Sequence, residues 1–380
     1  MSGFQRAARR RLFATALGLT LGAAAAASAQ TPSAADQASD VVDVDQLVVT
    51  ASAFERKIVD APASISVISR EALQTKRFSS LAEALADVEG VDVGDGVGKT
   101  GGLNISIRGM PSDYTLVLVD GRRQNAAGNV TPNGFGETST SFMPAVASIE
   151  RIEVIRGPMS TLYGSDAMGG VINIITRKVG KQWHGSASVE STFQQHDEYG
   201  DGRGTNLYLS GPLVEDRLGL TLRGNYIERD ESNIRYSDVD NNEITPWMGR
   251  NPVESDIYNA GGRLTFTPNA DHDVSLDYEV GKQRYDNSEG QLGTLGNQGY
   301  SDEQRYEREQ YYVAHTGRFA FGTLESSLTR NTTETIGRII PVPAGEPLRD
   351  RTLETENTIF DTKFITHLGN HAVTIGRPVH

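Results

Sequence analysis

Leu218-Gly219-Leu220-Thr221-Leu222-Arg223-Gly224-Asn225-Tyr226 reads as a strand whose two faces differ in kind. Successive side chains of a strand point to opposite faces. Leu218, Leu220, Leu222, Gly224 and Tyr226 therefore face one way, and Thr221, Arg223 and Asn225 the other. The period of two recurs downstream. Tyr258, Ala260, Gly262, Leu264 and Phe266 alternate with Asn259, Arg263 and Thr265; Val274, Leu276, Tyr278 and Val280 alternate with Asp273, Ser275, Asp277 and Glu279. Each run is roughly ten residues, the length of a tilted transmembrane strand, and tyrosines and phenylalanines cluster near the ends as an aromatic girdle requires. The connections alternate too: short turns at 211–217, 268–272, 322–323 and 369–370, long polar segments at 228–255, 286–307 and 337–354. Short turns on one side and long loops on the other is the outer-membrane barrel arrangement. A soluble antiparallel sandwich also alternates, but such long loops at every second connection are uncommon there.

Composition agrees. Of 380 residues, 49 are acidic and 36 basic, giving a net charge of −13, which argues against a nucleic-acid partner. There is no cysteine, so disulfides, cysteine-ligated zinc and thiol catalysis are excluded. Hydrophobic residues make up 37%, and beyond the N-terminus no apolar run approaches the ~18 residues of a membrane helix. A barrel escapes that test because its strands hide half their side chains from lipid. The N-terminus reads as a secretory signal: Arg6, Arg9, Arg10 and Arg11, an apolar stretch over 12–27, and small residues at Ala27-Ser28-Ala29, predicting cleavage before Gln30. Residues 1–29 are thus the signal peptide. Residues 30–60 form a flexible leader, polar and aperiodic over 30–44.

Residues 61–178 have a mixed pattern. Ile65-Ser66-Val67-Ile68 is a short strand; Ser80 and Glu83 make a capping box ahead of Leu81, Ala84, Leu85 and Val88 at helical spacing. Short strands are predicted at 104–108, at 114–120 closed by Asp120-Gly121, at 149–156 closed by Gly157-Pro158, and at 171–176. This is a compact α+β domain, followed over 179–380 by antiparallel transmembrane strands.

Several motifs carry less than they promise. Val91-Asp92-Val93-Gly94-Asp95-Gly96-Val97-Gly98-Lys99-Thr100 hints at a phosphate loop, but Val93 stands where the motif needs glycine, and a strand rather than a helix follows. A glycine-rich loop is the better account. His367 and His371 flank a Gly369-Asn370 turn, so their spacing supports no metal site. No nucleophile arrangement is recognisable, and no enzyme is expected. Asp45-Gln46-Leu47-Val48-Val49-Thr50-Ala51 is an isolated β-prone segment, equally a first strand or a segment that adds to a partner's sheet edge.

Ile149-Glu150-Arg151-Ile152-Glu153-Val154-Ile155-Arg156-Gly157-Pro158, with Leu162-Tyr163-Gly164-Ser165-Asp166-Ala167-Met168-Gly169-Gly170 and Val171-Ile172-Asn173-Ile174-Ile175-Thr176, resembles the plug signature of TonB-dependent outer-membrane receptors. Ile107-Arg108-Gly109-Met110 and Leu118-Val119-Asp120-Gly121 match two further plug motifs, and residues 45–51 resemble the TonB box. Thr131-Pro132-Asn133-Gly134-Phe135 and 160–166 look most like the colicin I receptor group of catecholate siderophore receptors. The resemblance implies a plug over 61–178 inside a 22-stranded barrel. A ferric siderophore is the transported ligand, with no resident cofactor. The implied partners are TonB at Asp45, Gln46, Leu47, Val48, Val49, Thr50 and Ala51, outer-membrane lipid, and colicin-like toxins. Arg108 and Arg156 occupy positions that in the family latch the plug to barrel glutamates; two exposed strand-end arginines are the plainer reading. Candidate ligand contacts are Gly98, Lys99, Arg122, Arg123 and Phe135. The two arginines are suited to an anionic catecholate complex, or are solvated turn residues.

The sequence departs from the family in one respect. About nine strands are predicted after the plug, starting near Trp183, Thr205, Leu218, Tyr258, Val274, Tyr311, Leu324, Thr358 and Ala372. Nine strands do not close around a plug, so the chain is expected to be an N-terminal fragment or a truncated gene product. Its transport is then in question, and a residual plug module that binds TonB without transport is the alternative. A signalling receptor of the same family is disfavoured, because 30–44 is too short for the extra domain that class carries.

Overall fold

The computed structural model describes residues 48–49, 56–57, 64–75, 81–93, 105–124, 144–159, 163, 167–244, 252–368 and 371–379. The expected signal peptide, the capping residue Ser80 and the glycine-rich loop after Val93 lie outside them. At the start, β1 (Val48–Val49) pairs antiparallel with β2 (Arg56–Lys57). The N-terminal domain then runs β3 (Ser64–Ser69), α1 (Arg70–Thr75), α2 (Leu81–Leu85), β4 (Val91–Asp92), β5 (Ser106–Ile107), β6 (Thr115–Val119), β7 (Arg122–Arg123), β8 (Ile149–Arg156) and β9 (Gly170–Thr176). Five of these strands form one sheet in the order β3-β8-β9-β6-β7, with β6 and β9 parallel and the other neighbours antiparallel. The near-continuous apolar runs of β6 and β9 follow from burial on both faces. Leu81 and Leu85 of α2 pack on one side with Ile107, Ile152, Val154, Ile172 and Ile174. Leu116, Leu118, Ile155, Ala167 and Val171 make a second cluster.

The wall that follows comprises β10 (His184–Thr192), β11 (Gly202–Val214), β12 (Leu218–Arg229), β13 (Tyr236–Ser237), β14 (Glu243–Ile244), β15 (Ser255–Asn269), β16 (His272–Asp286), β17 (Tyr300–Phe319), β18 (Gly322–Ile340), β19 (Arg349–Leu368) and β20 (His371–Val379). β13 and β14 pair only with each other, in the long loop after β12. The other nine form a single antiparallel sheet in sequence order, with β10 and β20 at its two edges. All nine expected strands are present, but their ends differ. β17, β18 and β19 reach 20, 19 and 20 residues, so β17 starts at Tyr300 rather than Tyr311 and β19 at Arg349 rather than Thr358. The expected loops at 286–307 and 337–354 shrink to 287–299 and 341–348. Backbone pairing continues past the apolar band because ladder hydrogen bonds do not depend on side-chain polarity. Likewise β11 runs through a bulge at Pro212 to Val214, leaving a turn of three residues where 211–217 was expected.

Burial along the wall is inverted relative to a water-soluble sheet. On β16, Leu276 is 50% exposed while adjacent Asp277 is 5% exposed; on β12, Leu222 is 45% exposed and Arg223 8%. Leu264, Val313, Leu328 and Phe360 join the exposed face, with Tyr226, Tyr258, Tyr278 and Tyr311. Asn259, Glu279, Gln283, Arg308, Gln310 and Asn331 are buried on the other. An apolar outer face over a polar inner one is what hydrocarbon as solvent demands, and it decides against the soluble sandwich.

Candidate functional site

The N-terminal sheet meets the wall at the tip of the β6–β7 hairpin. Asp120 and Gly121 form the two-residue connection with φ of 49° and 77°, the left-handed region that glycine adopts freely and aspartate tolerates. β9 fixes this turn. The Asp120 N–H donates to the Ile174 carbonyl at 2.8 Å, and the Gly121 N–H to Asn173 Oδ1 at 3.1 Å. The Asp120 carboxylate accepts from the Thr176 N–H at 2.8 Å and the Thr176 hydroxyl at 2.7 Å. So held, Asp120 and Arg122 face the wall.

Four wall strands answer them. Arg263 of β15 donates to Asp120 at 2.5 Å, to the Thr176 hydroxyl at 3.0 Å and to Asp277 at 2.7 Å. Arg122 Nη1 lies 3.5 Å from the same Asp277 oxygen, and its guanidinium sits 4.2 Å above the centre of the Tyr312 ring. Arg223 of β12 spans Asp277 at 2.7 Å and Glu279 at 2.8 Å, and Arg308 of β17 reaches the other Glu279 oxygen at 3.0 Å. The result is a continuous lattice of carboxylates and guanidiniums, mostly buried, that joins the N-terminal domain to β12, β15, β16 and β17. Burial by itself would push the Asp120 carboxyl up. Arg263, Arg122 and the two Thr176 donors outweigh it and hold the group well below the usual carboxylate range. Such a lattice adds less to net stability than its count of contacts implies, since every charge was taken out of water. Its effect is registry, because any displaced partner leaves a buried charge uncompensated. Asp277 is the sixth residue of β16 and Arg223 the sixth of β12, counted from the short turns, so the lattice lies toward the short-turn end.

The expected site residues fare differently. Arg122 is 7% exposed and committed to Asp120, Asp277 and Tyr312, a position on the wall rather than at the long-loop end. Arg123 donates to the Tyr163 carbonyl. Arg156 donates to the Glu89 carbonyl and, at 2.9 Å, to Ser66 Oγ, both within the N-terminal domain. The Arg108 guanidinium lies beside Gly157 in the same domain. Among the described residues neither arginine meets a wall carboxylate. Val48 and Val49 pair with Lys57 and Arg56. Asp45, Gln46, Leu47, Thr50, Ala51, Gly98, Lys99 and Phe135 lie outside the described residues. Sequence reasoning missed Arg223, Arg263, Asp277, Glu279 and Arg308 as a group. The available signal was their place on the inward, polar side of the alternation.

Comparison with known proteins completes the picture. The family profile described as TonB-dependent Receptor Plug Domain matches residues 57–171. The iron-regulated outer membrane virulence protein of Vibrio cholerae serotype O1 is 36% identical over 90% of this chain and 49% of its own length. The ferric enterobactin receptor PirA of Pseudomonas aeruginosa is 32% identical over 76% of this chain and 40% of its own. Among solved structures, a mutant of the ferric enterobactin receptor PfeA from Pseudomonas aeruginosa aligns with a TM-score of 0.69 and 25% identity, over 87% of this chain and 50% of that one. The chain spans about half or less of the length of these relatives. A plug profile over the N-terminal domain, receptors of the outer membrane as relatives along most of the sequence, and a shared plug-and-wall fold make this chain a member of the TonB-dependent outer-membrane receptors.

Proposed function

We propose that the chain acts in TonB-dependent uptake of a ferric siderophore of the catecholate type. The observation that carries this reading is the plug fastened by its Asp120–Arg122 turn to a lipid-facing wall, in a family whose relatives include proteins named ferric enterobactin receptors. A plug bound through a few rearrangeable ion pairs blocks passage at rest and yields to force. No nucleotide energy source reaches the outer membrane, so force has to arrive through a tether. The leader and the segment 45–51 suit that role, with a strand of the box adding to a sheet edge of TonB. The anionic ferric complex binds at the long-loop end, where Gly98, Lys99 and Phe135 of the plug loops are the proposed contacts. Lipid is the partner of the exposed apolar face, and colicin-like toxins are further candidates for the outer loops.

A second reading is a plug module that engages TonB without transport. The observation in its favour is that the plug carries a five-stranded sheet and two apolar clusters of its own. Uptake of radiolabelled iron as a catecholate complex, in cells expressing this chain as their single siderophore receptor, separates the two. Uptake that disappears on deletion of TonB supports transport. Absent uptake with retained TonB crosslinking supports the second reading.

A further inference from the structure

At the short-turn end of the wall, on its outward face, two histidines meet across strands β16 and β17. His272 Nδ1 lies 3.1 Å from His315 Nε2, and the rings stack with centroids 5.3 Å apart and planes 14° from parallel. The space for this pair is made by one residue. Gly317 is the cross-strand partner of His272, and a Cβ there would stand 3.1 Å from the His315 ring and 3.0 Å from the Phe319 ring. A side chain there would require the His315 and Phe319 rings to shift by a few tenths of an ångström. Phe319 closes the far side of His272 edge-on, at 5.7 Å and 76°. Arg318, next in sequence to Gly317, is engaged elsewhere, with Asp273 at 2.5 Å and the Ala270 carbonyl at 3.2 Å.

Two imidazole nitrogens aimed at each other share either a proton or a metal ion. Nitrogens bound to one tetrahedral metal at about 2.0–2.1 Å stand roughly 3.3–3.4 Å apart, so the two rings need to part slightly and turn until both lone pairs converge on one ion. We propose that His272 and His315 form a two-ligand site for a borderline divalent transition metal such as Zn2+, facing the periplasmic boundary of the membrane. Imidazole selects such ions over the hard cations that prefer oxygen. Each ligand nitrogen is the unprotonated one of its ring, and the opposite nitrogen carries the proton. No group of three or more histidine, aspartate or glutamate side chains converges on a metal position among the described residues, so water fills the remaining coordination positions. The site is independent of siderophore transport.

Calorimetric titration of the purified full chain in detergent with zinc chloride tests this, with circular dichroism verifying strand content in each variant. The expected result is one saturable Zn2+ per chain, with affinity at least tenfold lower in His272→Gln and in His315→Gln and unchanged in His184→Gln. Gly317→Ala keeps both imidazoles and is expected to weaken binding as well, by spreading the rings. Absence of saturable binding in the unmodified chain, or affinity within tenfold of it in either His272→Gln or His315→Gln, overturns the proposal.

Discussion

Asp277 takes three guanidiniums, those of Arg122, Arg223 and Arg263, and is almost fully buried. Neutralising it by Asp277→Asn leaves those cations facing one another. The expected loss is about 3–5 kcal/mol, the usual cost of removing one partner from a buried ion pair, read as a lower urea midpoint. Asp120 gives a pH test with a definite sign. Its native pKa is depressed, so its contribution is complete above the unfolded-chain value of about 3.9 and declines as the pH falls below it. Protease access to the plug is expected to stay flat from pH 8 to 5 and to rise below about pH 4. In Asp120→Asn it is expected to be higher at neutral pH and to show less of that rise. The alternation of β15 told which way Arg263 points, but not what it meets. Asp120 and Arg263 are 143 residues apart, and no local pattern encodes a contact at that separation.

Strands were legible wherever lipid imposes a period of two, and their order and number follow from that pattern. Their ends were not, because above the membrane the hairpins of β17, β18 and β19 continue on backbone pairing alone. The short plug strands were legible through apolar runs and glycine turns; 149–156 matched in full, whereas 104–108 shrank to the two residues Ser106–Ile107. Leu276→Arg places a charge on the exposed face of β16 and is expected to cost roughly 2–4 kcal/mol if the position lies near mid-bilayer, measured by urea titration in lipid vesicles. Val48→Pro removes a ladder donor from the segment proposed to join TonB. Crosslinking to TonB is expected to disappear, and undiminished crosslinking would count against assigning 45–51 as the box.

For the molecule as a whole, the order β3-β8-β9-β6-β7 would set the route of a pull delivered through the proposed TonB segment. Past the small β1–β2 pair, such a pull reaches β3 first within the plug sheet, an edge strand held on one side by β8, while the opposite edge carries the turn fastened to the wall. The plug is therefore expected to open from β3. Ser66 and Val154 are cross-strand partners, and the natural chain has no cysteine to interfere. A disulfide between Ser66→Cys and Val154→Cys falls within the Cα separation such bonds accept. It is expected to block iron uptake under oxidising conditions and to release it on reduction. Uptake unaffected by the crosslink would show that β3 stays in place during passage.

The one-in-two spacing of apolar residues along the wall also bears on how the polypeptide reaches its destination. Downstream of residue 29 no segment is greasy enough, read linearly, to halt in a translocation channel and partition sideways as a helix. Lipophilicity emerges only when neighbouring strands dock and bring Leu222, Leu264, Leu276, Val313 and Leu328 onto one surface. The precursor thus crosses the first bilayer as a polar thread and becomes oily by folding at the second.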